Sequence, residues 1–161
     1  MTIGGRIIFH TRNGSTLLFQ FFGKRIKINM ILNSMGNTMS YVSYEDVQKC
    51  QGRILISTLP TEQDILIHNT VACHLEINAV EDAIKRKTPI LIYGRNVNDP
   101  TIYKKYDQIK KLGGVAYIYP GGLFEWLLLQ DIYGNDHFKT THYTKSMDIL
   151  KYKPNNVLNI L

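Results

Sequence analysis

The sequence predicts an α/β domain: a doubly wound, mainly parallel sheet with helices on both faces. Two short apolar runs, Ile90-Leu91-Ile92-Tyr93 and Val115-Ala116-Tyr117-Ile118-Tyr119, have the nearly unbroken hydrophobicity of strands buried on both sides. Between them lies a stretch bounded by helix signals, with Asp99 as N-cap, Pro100 in the first turn and Gly113-Gly114 as the stop. Gly121-Gly122 then opens a second helical stretch, Leu123 to Gln130, that is apolar on nearly every side. Strand, helix and strand in this order make one βαβ unit.

Taken in order, Ser43-Tyr44-Glu45-Asp46 has the form of a capping box and predicts a short helix running to Cys50 and stopped by Gly52. Arg53 to Leu59 reads as the first strand of the domain, Pro60 to Gln63 as a turn, and Ile65-Leu66-Ile67 as the next strand. Val80 to Lys87 reads as a helix with Ala83 and Ile84 inward and Lys85-Arg86-Lys87 outward. After the last helix, apolar clusters at Met147 to Leu150 and Val157 to Leu161 predict a tail that folds back across the domain, or else docks on a partner. The expected organisation is an extension over 1–34, a lead-in over 35–42, the domain over 43–135 and the tail over 136–161.

A chain of 161 residues holds one domain with additions, and its core is large enough to fold without staples. No apolar stretch approaches the roughly 18 residues that span a bilayer. The two cysteines, Cys50 and Cys73, form no disulfide or metal-ligand spacing and are expected to be reduced thiols in a cytosolic-type compartment. No metal site and no cofactor is predicted. The formal charge of +6 points toward nucleic acid until its placement is considered. Of the 19 basic residues, five (Arg6, Arg12, Lys24, Arg25 and Lys27) lie in the acid-free first 34 positions, leaving 14 against 13 acids in the rest. The domain is therefore nearly neutral, its lysine pairs at 104–105 and 110–111 read as solvated helix faces, and no nucleic-acid partner is expected.

In a βαβ unit the loop leaving the first strand is the usual place for a ligand. Here it is Gly94-Arg95-Asn96-Val97-Asn98-Asp99. With Tyr93 before it, the helix from Pro100, the next strand, and Gly121-Gly122 followed by Trp126, this segment resembles the second half of a rhodanese (sulfurtransferase) domain. That family has an aliphatic strand ending in Tyr-Cys, a six-residue loop opened by the catalytic Cys, a helix, a strand, and Gly-Gly with Trp a turn later. The resemblance covers about residues 43 to 133 and is strongest from 89 onward. It implies a rhodanese-like fold and argues against the activity. Gly94 stands where the family has its nucleophilic thiolate, and glycine cannot carry a persulfide. Asp99 stands where the loop usually closes with Arg, and Ser57, Thr58 and Leu59 occupy the region of the family's Asp and Arg. His68 and His74 do not fall in the family's Gly-His-Ile-Pro-Gly-Ala pattern and are read as surface or hydrogen-bonded histidines.

No catalytic residue is therefore assigned. The expectation is a catalytically inactive binding or scaffold module with a protein partner. Two alternatives stay open: a sulfurtransferase using Cys50 or Cys73, and a small-anion or phosphate sensor. The sensor would use the backbone N–H groups of loop 94–99, with Arg95 supplying charge.

Residues 1–34 show neither a sustained helical period nor clean strand alternation, and match neither a signal peptide nor a transit peptide. Met35-Gly36-Asn37-Thr38-Met39-Ser40 fits the myristoylation pattern, which would place a lipid on Gly36 if translation began at Met35. On that reading the first 34 residues are not translated, and the module is cytoplasmic with reversible peripheral membrane attachment. The abundance of Ile, Asn, Lys and Tyr is compatible with an AT-rich protist or large DNA virus genome, and in the viral case a virion location follows.

Overall fold

The structure, a computed structural model, describes residues 39–50, 52–60, 65–143 and 145–155, together with the backbone of 6–10, 16–22 and 25–31. The chain divides into two compact units, Met1–Thr38 and Met39–Leu161.

In the first unit β1 (Arg6–His10), β2 (Thr16–Phe22) and β3 (Arg25–Ile31) form an antiparallel sheet in the order β1-β2-β3. Leu18 lies opposite both Ile8 and Asn29. This corrects the reading of residues 1–34 as patternless. The continuous apolar character of Thr16–Phe22 hides a period of two, but Arg25–Ile31 does alternate polar with apolar residues. Met35 and Gly36 lie outside the described residues.

The second unit is an α/β fold. In chain order it contains α1 (Tyr44–Gln48), β4 (Ile54–Ser57), α2 (Glu76–Arg86), β5 (Ile90–Tyr93), α3 (Pro100–Lys111), β6 (Ala116–Ile118) and α4 (Gly122–Tyr133). The three strands pair in parallel in the order β4-β5-β6. Single parallel bridges extend the sheet at both edges, Tyr41 to Ile118 beyond β6 and Thr70 to Leu55 beyond β4. The folded unit thus begins before Ser43, because Val42 N–H donates to the Ile118 carbonyl and Ile118 N–H to that of Ser40.

Alternation along the strands sends side chains to two cores. Ile56, Ile90, Ile92, Ala116 and Ile118 pack with Val80 and Ala83 of α2 and Ile102, Tyr106 and Ile109 of α3. Leu55, Leu91 and Tyr93 pack on the other side with Val47 of α1, with Leu123, Trp126 and Leu127 of α4, and with Phe138 and Tyr152 of the tail. Helices therefore cover both faces, and every residue of β5 is buried. Among the described residues, no helix is long and apolar enough to cross a membrane.

Three further expectations change. Ile65-Leu66-Ile67 does not become a strand of the parallel sheet. Its backbone pairs antiparallel with the tail, His68 N–H donating to Lys139 and Thr141 N–H to Leu66, while the Ile67 N–H is taken by the Tyr93 hydroxyl at 3.1 Å. The turn before it falls at 61–63 outside the described residues. The helix expected from Val80 starts at Glu76 behind a 3₁₀ turn, Cys73–Leu75. Leu75 and Ile77 are exposed, so the apolar periodicity does not mark the true start. Lys105 is not freely solvated: it pairs with Glu76 at 2.6 Å and ties α3 to α2, whereas Lys85, Arg86 and Lys87 are exposed as expected.

Candidate functional site

Loop 94–99 leaves the carboxyl end of β5 and enters α3. Beside it a cavity of about 360 Å³ opens over the ends of β4 and β5, walled among others by Thr58, Arg95, Asn98, Asp99, Thr101 and Asn155. Local rules fix the loop. Asp99 caps α3 by accepting from the Thr101 N–H at 3.0 Å, and its second oxygen accepts from the Arg95 N–H at 3.0 Å. The Thr101 hydroxyl lies on both Asp99 and Thr58. Asn96 accepts from the Asn98 N–H through its side chain and from the Asp99 N–H through its carbonyl.

Asp99 and Asn96 between them thus take the Arg95, Asn98 and Asp99 N–H groups of the loop. The geometry at Gly94 is equally closed. A Cβ added there would stand 2.5 Å from Asp99 Oδ2 and 2.7 Å from both Ile102 Cγ2 and Thr58 Oγ1. The space a nucleophilic side chain would enter is already occupied.

Arg95 is the cation of the loop, and its guanidinium lies 5.8 Å from the centre of the Tyr152 ring. Val97 is exposed and its carbonyl accepts from the Tyr103 hydroxyl at 3.0 Å. On the far side of the loop the start of α4 packs backbone to backbone. The Leu123 N–H donates to the Gly94 carbonyl at 2.9 Å and the Phe124 N–H to that of Arg95 at 3.0 Å. This approach needs glycine at 122, whose φ is +59° and whose absent Cβ would stand 2.6 Å from the Gly94 oxygen.

A second cavity, about 440 Å³ and largely apolar, lies between the loop and α4, lined by Asn96, Val97, Pro120, Phe124, Leu128 and Pro154 among others. Leu128 and Ile132 continue this stripe along α4 with substantial exposure, so α4 is less completely buried than its composition predicts.

Among the described residues, burial holds several hydroxyl and thiol groups protonated. Burial raises the Tyr93 hydroxyl, which accepts from the Ile67 N–H and shares a 2.8 Å hydrogen bond with Thr70 Oγ1. Burial, and then the nearby Glu125 carboxylate, raises Tyr119. Burial also raises the Cys50 thiol, with Arg53 opposing, which leaves less thiolate for nucleophilic attack. Cys73 is exposed in its 3₁₀ turn, and neither cysteine lines the cavity beside Gly94. His68 and His74 are both exposed. Among the described residues no three His, Cys, Asp or Glu side chains come together to hold a metal.

The structure therefore brings Arg95, Asn96, Asn98 and Asp99 around one cavity and turns Val97 toward the other, while Gly94 lines neither. The contribution of Tyr152, Pro154 and Asn155 is invisible in the sequence beyond the expectation of a tail that folds back. No protein-family model matches the chain, and no curated protein matches it.

Proposed function

We propose that the second unit is a catalytically silent rhodanese-like binding or scaffold module, which presents loop 94–99 and the adjoining face of α4 to a protein partner. The observation that carries this reading is the filled space at Gly94. Asp99, Ile102 and Thr58 crowd the point from which a nucleophile would project. The order of elements from Tyr93 to Trp126 supports the family part of the reading, and the exposed Val97 and Leu128 beside an apolar cavity support the binding part.

A lipid on Gly36 would add reversible membrane attachment at the cytoplasmic face, three residues ahead of the folded unit that begins at Met39. The mass of the N-terminal peptide from the native source tests this: a myristoylated Gly36 is expected, and a peptide containing Met1 or Thr2 removes the lipid.

The test of the silent module is incubation of the full chain with thiosulfate and cyanide. No thiocyanate and no persulfide is the expected result. A persulfide on Cys50 or Cys73, with turnover lost on its substitution, would establish sulfurtransferase chemistry instead. Titration with sulfate or phosphate separates the anion-sensor reading. The amide resonances of 94–101 should stay in place at millimolar anion, since Asp99 already takes the Arg95 and Thr101 N–H groups.

A further inference from the structure

We propose that residues 149–155 form a strap, latched on Asn96, that closes over loop 94–99 and divides one groove into two cavities. The proposal rests on the reading of that loop as the binding face.

Asn96 is buried although it sits in a loop, and both ends of its amide are used. Its Oδ1 accepts from the Asn98 N–H at 2.9 Å, and its Nδ2 donates to the Tyr152 carbonyl at 2.7 Å. One side chain therefore sets the shape of the loop and holds the tail. The Tyr152 ring is buried against the α4 side of the sheet, flanked by the Arg95 guanidinium at 5.8 Å and the Lys151 ammonium at 4.9 Å. Lys153 is extended, with φ −56° and ψ 152°. Pro154 then walls the apolar cavity and Asn155 the one beside Thr58, while Asn96 borders both. Consecutive residues of the strap thus face different cavities.

The strap is built to be released. Its regular structure is a single 3₁₀ turn, Ile149–Tyr152, capped by Asp148, and a turn of that length has little stability of its own. The Asn96 latch and the seat of the aromatic ring hold it in place, together with the packing of Ile149 on the same core. With the strap lifted, the cavities join across Asn96 and the apolar seat of Tyr152 is uncovered. The opened groove suits a protein segment that brings an apolar side chain to that seat and a backbone carbonyl to Asn96 Nδ2.

The test is site-resolved tryptic cleavage of the folded full chain at the Lys151–Tyr152 bond, with the Lys87–Thr88 bond as control. Asn96→Asp keeps the acceptor for Asn98 N–H and removes the donor to Tyr152. It should speed cleavage at Lys151 about tenfold, the effect of losing one buried hydrogen bond when cleavage follows the open population, and leave Lys87 unchanged. Tyr152→Ala, which leaves the loop sequence untouched, should give the same selective effect and serves if the Asn96 variant does not fold. Unchanged cleavage at Lys151, or equal acceleration at both bonds, overturns the strap. No partner enters this experiment, so its failure leaves the binding-module reading standing.

Discussion

Asp99 Oδ2 stands 2.5 Å from the point at which residue 94 would carry its Cβ, so the carboxylate at the end of the loop occupies the space above its beginning. The two positions are coupled by volume as well as by hydrogen bonding, since the other face of the same carboxylate caps α3.

That coupling is measurable. Gly94→Ala should cost about 1–3 kcal/mol by overpacking. Asp99→Ala should cost about 1 kcal/mol through the lost cap. In the double variant the methyl group enters space that Asp99 has left, so its cost should fall below the sum by at least about 0.5 kcal/mol. Ile102 and Thr58 also crowd the position, which keeps the relief partial. Urea unfolding of the four proteins decides the point, and strict additivity would mean that the loop moves away from residue 94 on its own.

Two buried tyrosines should respond in opposite ways to losing a hydroxyl. Tyr93→Phe strands the buried Ile67 N–H and removes a partner of Thr70, a loss of about 1–3 kcal/mol. The Tyr119 hydroxyl is buried with no hydrogen-bond partner among the described residues. The nearby Glu125 carboxylate adds to burial in raising its pKa. Tyr119→Phe should therefore be neutral or stabilising, and a cost equal to that of Tyr93→Phe in thermal melts would reveal a partner.

The same groups set an alkaline limit. Tyr93 and Tyr119 both hold their protons above the ordinary value of 10.0, chiefly through burial. A raised pKa means that the folded state favours the protonated form. The associated stability is complete below pH 10.0 and is lost as pH rises from there toward the folded-state values. Cys50 adds a loss of the same sign starting from its ordinary 9.0. Stability measured against pH should decline from about pH 9–10 upward, and Tyr119→Phe should make that decline shallower. An unchanged curve in the variant would assign the limit to other groups.

The sequence shows the part of the fold that follows from local chemistry. Ile90–Tyr93 is buried throughout because both faces of β5 are covered, and Asp99, Pro100 and Gly113 bracket α3 through capping and φ preferences that need no tertiary information. The capping box at Ser43 and Asp46 forms for the same reason, with Ser43 N–H donating to the Asp46 carboxylate at 3.1 Å. What was not legible depends on partners far away in the chain. Ile65–Ile67 has the composition of a strand, but its pairing with 139–141 and with the Tyr93 hydroxyl is decided by the tail. Asn96 reads as one more polar loop residue, and only the arrival of Tyr152 gives its amide a buried acceptor.

Glycine is required at 122 for two separable reasons, and a comparison with Gly113 divides them. Both residues have positive φ, +59° and +83°, so alanine at either should cost about 1–2 kcal/mol for the left-handed conformation. At Gly113 nothing lies within 4 Å of an added Cβ, and the conformational cost is all that applies. At Gly122 the added methyl meets the Gly94 carbonyl at 2.6 Å and the Arg95 backbone at 3.0 Å, adding an overpacking cost of about 1–3 kcal/mol. Relief would require α4 to draw back from the loop, lengthening the bonds from Leu123 and Phe124 to Gly94 and Arg95. Gly122→Ala should thus be the more destabilising of the two in urea unfolding and should alone shift the amide resonances of residues 94 to 98. Equal losses, with the loop resonances unmoved, would show that the contact between α4 and the loop is looser than these distances imply.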